Sequence, residues 1–190
     1  MNGGETISEK KKESAQPSTK EILEKINGYE ALLILKALAD EDRSIANRIE
    51  QIALENLRDV DIESVASEVY FVLNSIEVED LWDQSGSTRY GYVEPGERAW
   101  EMIEESLEPF TNELNRYLDL SLNDEAKKYC MGILKGIHRF DTESTSQFKD
   151  WAEDAPDDLF DRILDDWKKS CRVPEYLKEM EEFIEGEIGY

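Results

Sequence analysis

Asp61-Ile62-Glu63-Ser64-Val65-Ala66-Ser67-Glu68-Val69-Tyr70-Phe71-Val72-Leu73 decides the fold class. Ile62, Val65, Ala66, Val69, Tyr70 and Leu73 recur at three- and four-residue steps, which is one face of a helix. Asp61 stands where a carboxylate can cap the first free N–H groups. The same period extends in both directions. Upstream, Leu32, Leu33, Leu35 and Leu38 belong to one helix, and Ile45, Ile49, Ile52, Ala53 and Leu57 to one face of the next. Ser18 and Glu21 have capping-box spacing, and a short helix through Ile22, Leu23 and Ile26 is expected to stop near Asn27-Gly28.

Downstream, Pro95 opens a long segment striped by Ala99, Ile103, Leu107, Phe110, Leu114 and Tyr117, with a kink or break expected at Pro109. Asn123 is expected to cap a helix bearing Ala126, Cys130, Ile133, Leu134 and Ile137. Gly132 and Gly136, one turn apart there, let a neighbouring helix approach closely. Phe148 and Trp151 follow, then Leu159, Ile163, Leu164 and Trp167, then Tyr176, Leu177, Met180, Phe183 and Ile184. No stretch sustains period-two alternation with strand chemistry. Short links such as Asp40-Glu41-Asp42 and Arg58-Asp59-Val60 imply antiparallel neighbours. The expected fold is all-α, about nine helices stacked as antiparallel hairpins in a HEAT- or TPR-like superhelix, with an irregular helical bundle as the alternative. Residues 1–17 read as a disordered tail of mixed charge, and 18–190 as a single all-α domain with a long loop at about 80–94.

The 190 residues are 39% apolar, with four Trp, eight Tyr and six Phe, so a packed core is expected. The net charge of −23 repels phosphate backbones. Nucleic acid and membrane are therefore not expected partners. Cys130 and Cys171 form no CxxC pair and read as buried reduced thiols. No secretory or transit pattern and no membrane-spanning run is present, so the expected location is the cytoplasm.

One segment interrupts the helical text, from Asp80 to Glu94. It brings Trp82, Asp83, Arg89, Tyr90 and Tyr92 together with Gly86 and Gly91. Rigid rings and a guanidinium on a glycine-bearing loop suit a binding surface. An ordinary inter-hairpin loop pinned by its own aromatics would carry the same residues. Asp157, Asp158 and Asp161 spell DDxxD, a spacing that holds magnesium against diphosphate in isoprenoid synthases. With 16 Asp in the chain, and Pro156 marking a helix start where acids favour the dipole, a solvated helix end is the better reading. Glu104, Glu105 and Glu108 make half of the EExxE…ExxD magnesium pattern of all-α pyrophosphohydrolases, without the second half. His138, the only histidine, reads as structural near a helix C-terminus, with Asp141 in reach.

Val60-Asp61-Ile62-Glu63-Ser64-Val65-Ala66, Tyr90-Gly91-Tyr92-Val93-Glu94, the long Ala99–Leu120 segment, and Asn123-Asp124-Glu125-Ala126 with Gly132-Ile133-Leu134 together resemble an uncharacterised prokaryotic all-α helical-repeat family. It is similar to the helical region accompanying bacterial SWIM zinc fingers. The finger itself, a CxC pair followed by Cys and His, is absent here. The resemblance covers roughly residues 30 to 172 and implies a protein-binding scaffold without catalytic residues. No cofactor and no metal are expected. The expected function is a non-catalytic scaffold for another protein. The alternatives are a magnesium-dependent enzyme acting on a phosphate compound and a homo-oligomeric structural protein.

Overall fold

The computed structural model describes residues 17–89 and 91–189. The chain is all-α, with nine α-helices and one small hairpin among those residues. It divides into two compact units, residues 1–53 and residues 54–190. The expected tail lies, up to residue 16, outside the described residues.

The first unit holds α1 (Thr19–Leu23), α2 (Gly28–Glu41) and most of α3 (Arg43–Leu57). Ser18 and Glu21 form the expected capping box. Asn27 does not end α1; it starts α2, in a second capping box with Glu30. A short polar side chain before a run of good helix formers satisfies the orphan N–H groups of that run. None of the three helices buries a residue, and Leu32, Leu33, Ile34, Leu35 and Leu38 are all exposed. Nor do α2 and α3 form the expected packed hairpin. Asp42 is the only residue between them, whereas an antiparallel helix pair needs a loop of roughly two to five residues.

The second unit runs through α4 (Ile62–Asn74), α5 (Val78–Gln84), β1 (Gly86–Thr88), β2 (Gly91–Val93), α6 (Pro95–Asp119) and α7 (Asn123–Glu143). A 3₁₀ turn (Gln147–Trp151), α8 (Ala155–Ser170), α9 (Pro174–Phe183) and a π turn (Ile184–Ile188) complete it. Every residue of the α6 stripe read from the sequence is buried, and so is every one of the α7 stripe. Asp61 caps α4 as expected, its carboxylate accepting from the Ser64 N–H at 2.7 Å.

α7 is the central helix. α6 and α8, its neighbours in sequence, pack on it, and α9 adds a further contact. Its most extensive contact is with α4, which is not consecutive with it. Two glycines make this contact possible. A Cβ on Gly136 would stand 2.5 Å from the Val69 Cβ and 2.8 Å from the Ala66 carbonyl oxygen. One on Gly132 would stand 2.6 Å from the Val65 Cβ. Van der Waals contact lies well beyond those distances, so the two backbones meet only because both positions lack a side chain. Cys130, fully buried beside them, has its thiol pKa pushed up by burial; Cys171 is half-exposed. Tyr129, its ring tilted against that of Tyr117 with centres 5.4 Å apart, has its pKa pushed up to about 12, first by desolvation and then by the charge of Glu113.

Three expectations are corrected in this unit. α6 is not broken at Pro109, since the missing N–H removes one backbone bond while Leu107, Phe110 and Leu114 keep their packing; this removes the break, one half of the expectation. Asn123 is the first residue of α7 and not its cap; Leu122 precedes it and caps with no side chain. The segment expected to be a loop at 80–94 is the end of α5 and a β-hairpin. Gly86 at φ 83° and Gly91 at φ 136° supply backbone conformations that side chains disfavour, and Gly86–Thr88 pairs antiparallel with Gly91–Val93. Three-residue strands are too short to show alternation in the sequence.

Candidate functional site

The charge lies almost entirely in the second unit. Residues 1–53 contain ten Asp and Glu against eight Lys and Arg, and residues 54–190 contain 35 against 14. Most described bases of this unit are already engaged. Arg98 donates to Gln84 on α5 and to Glu101 and Glu105 on α6, at 2.7 to 2.9 Å. This guanidinium holds the Glu105 carboxyl below its ordinary value, first through the hydrogen bond. Lys135 bridges Glu63 and Glu187, and Lys127, itself buried, meets Asp124 and Glu179 beneath the Tyr176 ring.

The carboxylate motifs fall on helix surfaces. Asp157, Asp158 and Asp161 are exposed on the first turns of α8. Glu104, Glu105 and Glu108 line a cleft of about 300 Å³ with Leu159, Arg162 and Ile163 of α8. Glu104 takes a hydrogen bond from Arg162 at 2.5 Å, and that guanidinium also lies 5.2 Å from the Trp100 ring centre. The EExxE segment is thus the α6 side of a helix–helix seam. Among the described residues, no three or more His, Cys, Asp or Glu side chains are grouped to hold a metal ion. His138 lies more than a turn inside the end of α7, and Asp141 pairs with Lys149 at 3.0 Å, not with the ring.

The aromatic segment gives a different picture. Trp82 and Asp83 sit on the last turn of α5, exposed, and their helix is docked by Leu81, which is fully buried. Arg89 is exposed at the turn of the hairpin, and Tyr92 on β2 is 68% exposed. Tyr90 lies outside the described residues. The structure adds a residue that sequence reading placed with the core. Trp151, at the end of the 3₁₀ turn, packs edge-to-face on Trp82 with ring centres 4.6 Å apart and planes at 81°. The pair stays 48% and 38% exposed. Phe148, at zero exposure, fixes the 3₁₀ turn to the core. Gly96 at the start of α6 passes the Trp151 carbonyl oxygen, which a Cβ there would meet at 3.4 Å.

An exposed indole pair held between packed elements suits an adhesive surface, because large rings bind with little loss of side-chain freedom. No family model, no curated protein and no solved structure matches the chain. The function therefore has to be read from this surface alone. The acids clustered around Trp151 in the sequence were the available signal that it faces solvent.

Proposed function

We propose that the protein is a non-catalytic helical scaffold that binds another protein, and that the Trp82–Trp151 face is where the partner docks. The observation that carries this reading is the exposed, mutually packed indole pair on a body whose other two tryptophans are engaged, Trp167 in the core and Trp100 with Arg162. Interface hot spots favour tryptophan, tyrosine and arginine, and Tyr92 and Arg89 lie on the adjoining hairpin. No described helix is long and apolar enough to cross a membrane, which fits a surface aimed at protein.

Random-sequence peptides displayed on phage and selected against the full chain test the proposal without presuming a ligand. Selected peptides are expected to lose about tenfold or more in affinity for Trp151→Ala, as hot-spot truncations do. Selected peptides that bind wild type and Trp151→Ala alike would move the docking face elsewhere.

A further inference from the structure

The surroundings of the indole pair specify the partner more closely. Glu79 lies one turn before Trp82 on α5 and Asp83 follows the ring directly. Asp150 precedes Trp151, Glu153 and Asp154 follow it, and Glu97 stands beside Gly96 where α6 passes. All six are exposed, and none forms an ion pair with a described Lys or Arg. The bases next to these acids in sequence are turned away: Arg98 to Glu101 and Glu105, Lys149 to Asp141. The protein's own cations sit over Trp100, Tyr70 and Tyr176, and among the described residues none sits over Trp82 or Trp151.

Resting on the scaffold reading, we infer that the Trp82–Trp151 face takes a cationic, arginine-bearing segment of the partner protein. A guanidinium satisfies both halves of the site. Its flat face stacks on an indole, and its edge N–H groups pair with the carboxylate rim. A lysine ammonium has the charge but not the plane, so it gains only part of this. An acidic segment is repelled, and a neutral one leaves the rim unanswered. The rim also acts at a distance. Exposed carboxylates next in sequence to the two indoles, with no described base paired to them, raise the encounter rate of a cationic partner, and salt lowers it.

The test separates this chemistry from the general field of a chain of charge −23. Four peptides of equal length are titrated against the full chain near physiological salt, with fluorescence anisotropy as the readout. One repeats Arg-Gly-Gly, one Lys-Gly-Gly, one Glu-Gly-Gly, and one is neutral and proline-rich. The arginine peptide is expected to bind tightest, several-fold ahead of the lysine peptide, with no binding by the glutamate peptide. The double variant Trp82→Ala, Trp151→Ala is expected to weaken it about tenfold or more. Asp83→Asn with Asp154→Asn, on exposed positions that carry no packing, is expected to weaken it several-fold and to flatten its salt dependence. Equal binding of the arginine and lysine peptides, unchanged in the tryptophan variant, would leave only the field and overturn the inference. Tryptophan-dependent binding of the neutral peptide alone would keep the docking face and overturn its cationic partner. No binding by any peptide would overturn the inference while leaving the phage selection to decide the face.

Discussion

Replacing Gly136 by Ala is expected to destabilise the helical body by about 2–4 kcal/mol, the upper range of overpacking in a closely fitted interior. The sign is the informative part. On an exposed helix, glycine to alanine stabilises by roughly 0.5–1 kcal/mol, because glycine has the more flexible unfolded chain. Here the new Cβ would stand 2.5 Å from the Val69 Cβ, and 2.8 Å from a backbone oxygen that no rotamer change can move. α4 must shift against α7, and the Val65, Val69 and Leu73 packing shifts with it. Urea unfolding of the single variant measures the loss. A double-mutant cycle with Val69→Gly, which takes the opposing Cβ away, is expected to show strong favourable coupling. A stabilised Gly136→Ala variant, or an additive cycle, would mean that α4 and α7 do not meet at this distance.

Phe148→Ala is the second large effect, expected at about 3–5 kcal/mol for a buried phenylalanine cut back to alanine. The ring is wholly buried and is the only buried residue of its 3₁₀ turn. Its removal leaves a cavity and frees the segment that carries Trp151. Stability and site are therefore expected to fall together: the Trp82–Trp151 contact opens, and peptide affinity at that face drops even under conditions where the variant is still folded. Phe148→Leu fills most of the volume and should cost under about 1.5 kcal/mol with the face retained. A Phe148→Ala loss below 1 kcal/mol, or full affinity in the folded variant, would show that the turn is held some other way.

Helical periodicity made the body of the fold legible, because a buried stripe repeats every turn; the α6 stripe does so for about five turns and the α7 stripe for about three. The Gly132–Gly136 spacing even located the closest helix contact, though not its partner; α4 is some sixty residues away, and nothing local names it. Errors fell where one residue has two local meanings. Asn27 can end a helix or begin one, and Asn123 can cap a helix or enter it. The hairpin escaped because three-residue strands carry no period. The site was half legible for a related reason. Trp82, Asp83, Arg89 and Tyr92 stood out as a break in the text, whereas Trp151 shares a three-residue step with buried Phe148 and so reads as core. The turn ends beneath it, and its ring emerges against Trp82. That juxtaposition is tertiary, between segments sixty-nine positions apart.

The docking face is tested most directly by the indole N–H resonances of the four tryptophans in a titration of the full chain with the Arg-Gly-Gly peptide. Trp82 and Trp151 are expected to shift together along one saturating curve, while Trp167 and Trp100 stay in place. Movement of all four resonances alike, or of Trp100 alone, would contradict a docking face built on the Trp82–Trp151 pair.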